Sequence, residues 1–171
     1  MAATVAHTYS DTISVLHEAC SKIVMPFFES CKDKDGRCDS AVKEDDVLDK
    51  IALYLSENHP TVVFEKQPQP RWWWDFRING IPFNLKLTSC KSYDNAFNKT
   101  ALYYSIVGKE PTKTPGAYND LWKKLKSIKC KDCRDKTTEY HYLSVDKRNG
   151  NALIRSLFDV VHIKGNPSND L

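Results

Sequence analysis

No apolar run in this 171-residue chain approaches the ~20 residues that a membrane-spanning helix needs. A mean hydropathy of -0.53 points the same way, so no membrane association is expected. The segment Met1-Ala2-Ala3-Thr4-Val5-Ala6-His7 lacks both a basic n-region and a long apolar core. Export is therefore not expected, and a cytoplasmic location is. The chain also lacks internal repeats and low-complexity tracts. That leaves a single domain over residues 1–171, long enough to bury a core without disulfides or structural metals. Nor is there a large excess of one charge. Against 25 basic residues stand 22 acidic ones, a net charge of +3, which permits nucleic-acid binding without requiring it.

What charge there is gathers unevenly. Lys123, Lys124, Lys126, Lys129, Lys131 and Arg134 crowd one short segment, which is either a solvated helix face or a phosphate-contacting patch. The six cysteines are Cys20, Cys31, Cys38, Cys90, Cys130 and Cys133. Cys130-Lys131-Asp132-Cys133 has the spacing of a metal knuckle, and Cys31 with Cys38 could complete four ligands. The six-residue gap between Cys31 and Cys38 is not zinc-finger spacing, however, and no histidine pair stands nearby. Reduced thiols are the expectation.

Periodicity outlines the elements. Ile13, Leu16, Cys20, Ile23, Val24 and Phe27 predict a helix over 9–30, kinked or ended by Pro26. Cys31 to Ser40 reads as a polar loop, and its Asp33, Asp35 and Gly36 make a turn rather than a calcium loop, because the later ligands are missing. Val47, Leu48, Ile51 and Leu55 stripe a helix over 43–58. On the same face Glu44 is either a first-turn acid complementing the helix dipole or an accessory acid aimed at a site. Residues 61–66 read as a strand, and Gln67-Pro68-Gln69-Pro70 as a break. A helix is predicted from an Asp94 cap to about Val107, with Phe97, Ala101, Tyr104 and Ile106 inward and Asn95, Asn98 and Lys99 on one polar face. Gly108 to Asn119 is a loop. Further on, the pattern predicts a basic helix over 120–129, a strand over 139–145, a short helix over 152–158 and a last strand over 160–163. The order α-α-β-β-β-α-α-β-α-β is an α/β layout with a mixed sheet.

At the centre lies Trp72-Trp73-Trp74-Asp75-Phe76-Arg77-Ile78-Asn79-Gly80-Ile81-Pro82-Phe83-Asn84-Leu85-Lys86-Leu87. Asn79-Gly80 predicts a two-residue type I′ hairpin turn. Alternation then puts Trp72, Trp74, Phe76 and Ile78 on one face of the first strand and Ile81, Phe83, Leu85 and Leu87 on one face of the second. With those rows in the core, Asp75, Asn84 and Lys86 project together from the other side. Trp73 falls on that polar side, where it either stacks on a base or packs beneath a loop. A carboxylate, an amide and an ammonium so gathered can hold a hard cation and a water beside a phosphate.

Asp75, an eight-residue gap and then Asn84-Leu85-Lys86 resemble the PD-(D/E)xK nuclease superfamily, type II restriction endonucleases in particular. The likeness is strongest over 60–107, and the order of elements over about 43–107 follows the family core. Asp94-Asn95-Ala96-Phe97-Asn98-Lys99 resembles the start of the helix after the motif, and Ile163 to Asn169 a segment beyond which such chains continue, so a shortened member is one expectation. Trp74 stands where the family has proline, a residue without chemistry. Asn84 stands where it has a second acid; an amide oxygen can still ligate Mg²⁺, more weakly.

The resemblance implies a restriction-endonuclease-like mixed β-sheet flanked by helices. It also implies a Mg²⁺-dependent endonuclease that hydrolyses double-stranded DNA at a specific sequence, as a homodimer. Asp75 and Asn84 are then the metal ligands, joined by the carbonyl of Leu85, and Lys86 completes the catalytic set with them. Lys91, Asn95, Asn98 and Lys99 are the expected DNA contacts. Two other readings stay open: a non-catalytic DNA-binding or assembly protein on a nuclease-like scaffold, and a small-molecule enzyme using the tryptophans as an aromatic platform.

Overall fold

The computed structural model describes residues 8–32, 42–88, 98–128 and 135–160. Asp94, Phe97, Cys38, Cys90, Cys130, Cys133, most of the Cys31–Ser40 loop and the segment from residue 161 onward lie outside those residues. So do Lys91 and Asn95.

The helix predicted over 9–30 runs unbroken in three parts: α1 (Tyr9–Ala19), a π-turn (Cys20–Val24) and α2 (Met25–Ser30). Thr8 and Asp11 form a reciprocal capping box at its start. Pro26 does not end the helix, which continues to Ser30. The widened turn just before it, in which Met25 N–H donates to the Cys20 carbonyl, shifts the hydrogen-bond register where proline can supply no donor. Helix α3 (Glu44–Asn58) buries Val47, Leu48, Ile51 and Leu55, as its stripe predicts. Each such side chain is worth about 1.5–3 kcal/mol on burial.

Five strands follow: β1 (Phe64–Lys66), β2 (Phe76–Ile78), β3 (Ile81–Thr88), β4 (His141–Asp146) and β5 (Ala152–Ser156). They lie side by side in that order, antiparallel except for the parallel β3–β4 pair. The crossover between β3 and β4 carries α4 (Lys99–Val107) and α5 (Tyr118–Ser127). The fold is thus α/β with a mixed sheet. Phe76, Ile78, Phe83, Leu85, Leu143 and Val145 pack with α1, α2 and α3 in one core. Tyr140 and Tyr142 pack with α4, α5, Trp73 and Trp74 in a second.

Three expectations need correction. Residues 152–156 form a strand where a helix was predicted. Ala152, Ile154 and Ser156 turn inward while Leu153 and Arg155 face solvent, the period-two pattern of a strand paired antiparallel with β4 and entered through Gly150 at φ 71°. Val160 lies in a turn rather than in a last strand. Helix α4 begins at Lys99 with Asn98 as its cap, its Oδ1 accepting from Thr100 N–H at 2.8 Å. Ala101 and Tyr104 are buried in it as expected, and Ile106 is half-buried.

Among the described residues no helix is long and apolar enough to cross a membrane. Of the cysteines, Cys20 and Cys31 are free thiols, Cys20 buried.

Candidate active site

The hairpin turn forms as its sequence dictates. Asn79 (φ 51°) and Gly80 (φ 80°) both take the left-handed conformation, and Ile78 pairs with Ile81 across it. Asn79 also ties the turn to its surroundings: its Oδ1 accepts from Val63 N–H, and its Nδ2 donates to Thr12 Oγ1 on α1, each at 3.0 Å.

Upstream, the first strand is shorter than expected. It starts at Phe76, and the tryptophans are not part of it. A strand could bury only one of two consecutive residues on a given side, yet Trp73 and Trp74 are both buried in the second core. The chain leaves the ladder to achieve this, helped by a left-handed Arg71 (φ 64°). Trp74 therefore does not share a face with Phe76 and Ile78. Trp73 is packed rather than displayed: its ring lies 5.1 Å from that of Tyr104 and 5.8 Å from that of Tyr140. Its carbonyl accepts from the Tyr140 hydroxyl at 2.8 Å.

This departure makes the site. Asp75 is the last residue on the ladder, its N–H donating to the Phe83 carbonyl at 2.9 Å. Phe76 is paired with that same Phe83, so Asp75 and Phe76 stand together against one residue, a bulge at which the ladder ends. Beyond it the chain has turned away, and the Leu85 N–H faces a gap on that side. The Asp75 carboxylate fills it: Oδ2 accepts from Leu85 N–H at 2.7 Å and from Asn84 Nδ2 at 2.6 Å. Across the sheet Asn84 stands opposite Tyr142 of β4. Lys86 stands two residues on, exposed, on the same face of β3 as Asn84, close enough for its charge to act on Asp75.

On the other side of Asp75 a cleft of about 450 Å³ opens against the start of α3, lined among others by Lys43, Glu44, Asp45, Gln67 and Lys147. Glu44 does turn toward the site; Asn84 and Lys86 are not among the lining residues, so Asp75 bridges the cleft and the polar face of β3. The electrostatics follow. Burial pushes the Asp75 carboxyl up to about 6, against the Leu85 N–H, which favours the charged form; the acids Glu44 and Asp45 push it further, and Lys86 opposes them. Burial, the other tyrosine hydroxyls and the Asp75 charge hold Tyr140 and Tyr142 above the ordinary tyrosine range, so both stay protonated.

As a ligand set this is one carboxylate and one amide. Among the described residues no group of three or more His, Cys, Asp or Glu forms a metal cage. That composition does not suit zinc, but two oxygen donors, of which Asp75 also borders the acid-lined cleft, suit a hard cation such as Mg²⁺, which keeps several waters and needs few protein ligands. Both donors to Asp75 use Oδ2, and the Asn84 amide gives its nitrogen to Asp75, so Asp75 Oδ1 and Asn84 Oδ1 are the oxygens that would meet a cation.

The predicted DNA contacts fare unevenly. Asn98 is exposed but serves as the cap of α4, and Lys99 is exposed at the first turn. Sequence reasoning missed Lys43, Gln67 and Lys147 in the cleft, and Tyr142 opposite Asn84 on the neighbouring strand. Their only signal is tertiary, since β3 and β4 pair across more than fifty intervening residues. Comparison with protein-family models, with curated proteins and with solved structures returns no match for this chain.

Proposed function

We propose that this protein is a Mg²⁺-dependent DNA endonuclease of the restriction type, hydrolysing phosphodiester bonds at a specific sequence. The observation that carries this reading is the contact between Asp75 and Asn84 across neighbouring strands, with Lys86 exposed next along the same face. Asp75 and Asn84 would hold the cation through their free oxygens. A bound divalent cation supplies Lewis acidity toward a phosphate oxygen and makes water acidic enough to attack at neutral pH. Lys86 directs its ammonium at the phosphate, orienting the attacking water and stabilising the negative charge that develops in the transition state. The Leu85 N–H and Asn84 Nδ2 lock the carboxylate rotamer, so that its orientation is fixed before substrate arrives. Lys43 and Lys147 line the cleft beside it and are suited to neighbouring phosphates. Cutting both strands of a duplex calls for two copies of the site, which a symmetric homodimer supplies.

Lys86→Ala tests the assignment. The side chain is exposed, so the variant keeps its fold and its Mg²⁺-dependent cutting of unmethylated plasmid disappears. Full cutting by that variant rejects the mechanism. Wild-type protein that binds DNA but never cuts it with Mg²⁺ or Mn²⁺ is a non-catalytic DNA-binding protein on the same scaffold.

A further inference from the structure

Helix α5 has a face that the site does not use. Leu121 and Leu125 anchor it in the second core, and Lys123, Lys124 and Lys126 are exposed. Between these sets runs the row Tyr118, Trp122, Lys126, four residues apart and therefore stacked along one side of the helix. The rings of Tyr118 and Trp122 lie nearly parallel, 13° apart with centroids at 6.3 Å. Lys126 Nζ sits 5.0 Å from the centroid of the Trp122 ring. At 100° per residue Lys123 stands about 60° from Lys126, on the same flank, whereas Lys124 stands about 160° away, on the other. The row shares its core with a neighbour of the candidate site: Tyr118, Trp122 and Tyr142 all pack against the second core, and the strand position of Tyr142 is directly opposite Asn84.

A flexible lysine loses rotamer entropy when it binds an anion. A lysine already held over an aromatic ring has lost part of that freedom beforehand, and the ring leaves its charge and remaining donors facing outward. The row spans about 12 Å of helix, the rise of three to four phosphates along one strand of B-form DNA.

We propose that the Lys123–Lys126 flank of α5 is a phosphate-binding track that grips one strand of the DNA beside the Asp75 site, with Trp122 as the positioning residue for Lys126. Its placement beside the site rests on the nuclease reading; its chemistry, recognition of a polyanionic phosphodiester strand, does not.

The test is binding of a short fluorescein-labelled DNA duplex by fluorescence anisotropy, in EDTA, over a series of salt concentrations. Lys123→Glu/Lys126→Glu is expected to lower affinity at least tenfold and to flatten the slope of log K against log salt by about 2, one for each lost phosphate contact. Lys50→Glu/Lys124→Glu, which pairs an exposed lysine of α3 with the lysine on the other side of α5, makes the same change in net charge away from the flank and is expected to stay within about threefold of wild type. Trp122→Leu is expected to weaken binding several-fold with Lys126 intact, and Trp122→Phe, which keeps a ring, to recover most of the loss. Circular dichroism of each variant checks the fold. Equal losses in the two charge-reversal pairs, or a wild-type protein that does not bind the duplex at low salt, overturn the proposal. A parallel plasmid assay with Mg²⁺ separates it from the nuclease reading. Track-dependent binding without cleavage sinks the nuclease alone; cleavage with binding indifferent to Lys123 and Lys126 sinks the track alone.

Discussion

Asp75→Asn isolates what the folded chain does to a single charge. In the wild type the carboxyl is pushed up to about 6 from an ordinary value of 3.8, chiefly by burial. A carboxyl raised in this way binds its proton more tightly folded than unfolded, so folding stability increases as pH falls from about 6 toward 3.8 and is level on either side. At pH 8 the ionised group therefore costs the fold up to about 3 kcal/mol, at 1.36 kcal/mol for each pH unit of displacement. Asparagine removes that charge and still offers an oxygen to the Leu85 N–H, while the hydrogen bonds it makes are neutral ones, weaker by about 1 kcal/mol in total. The expected outcome is a variant about 1–2 kcal/mol more stable than wild type at pH 8 in EDTA, the gain shrinking to zero or below by pH 4. Urea denaturation across that range measures it. His141, buried and pulled down to about 4 by desolvation, makes both proteins less stable as pH falls below 6.5, but it is common to the two and cancels in the difference. A variant less stable than wild type at pH 8, or a difference that does not change with pH, would refute the reasoning.

Asn84→Asp places a second acid beside Asp75 and deletes the donor between them, so without metal it is expected to lose about 1–3 kcal/mol; under the nuclease proposal Mg²⁺ recovers the loss and raises cleavage, as thermal melts and plasmid assays would show. Mg²⁺ at a hundredfold excess over its dissociation constant should stabilise the wild type by about 2.7 kcal/mol and leave Asp75→Asn unmoved, a comparison read directly from melting curves at pH 8. Gly150→Ala forces a side chain onto a backbone at φ 71° and sets its Cβ 2.6 Å from the Met25 Cα, 3.2 Å from the Val24 carbonyl oxygen. Since neither neighbour is a side chain that can swing aside, a loss above about 2 kcal/mol is expected, visible as a melting temperature several degrees lower.

Where one local rule acted alone, the sequence was readable. Asn79-Gly80 specified its turn, the α3 stripe its buried face, and the parity of Asn84 and Lys86 their common side of β3. Where two rules competed, the tertiary one won. The period-two reading of Trp72 to Ile78 ignored that two adjacent indoles both need burial, and they found it by leaving the strand for the second core. Pro26 follows a similar logic, because a π-turn absorbed what the proline rule alone would have broken. At 152–158 a short apolar run was compatible with helix or strand, and pairing with β4 decided it. The cleft was the least legible part, since Lys43, Gln67, Asp75 and Lys147 come from separate elements and nothing local relates them.

The point where the chain leaves the sheet gives two separate reasons for a polar residue at 75, and they differ in what they ask of its charge. Closing the gap at the Leu85 N–H needs an acceptor in the right place, and a neutral amide would serve with less penalty, since burial and the nearby Glu44 and Asp45 all disfavour the ionised form. A hydrogen-bonding role alone therefore accounts for the position of the group but not for its being an acid. A cation reverses the balance: the same neighbours that repel an isolated carboxylate raise the local negative potential, and the burial that penalises the charge strengthens its attraction for a divalent ion. The strain on Asp75 is thus the feature that separates the two accounts. If metal binding relieves it, the acid is there for chemistry; if the neutral variant simply makes a better protein and metal is indifferent to the change, the carboxylate is no more than the end of a strand.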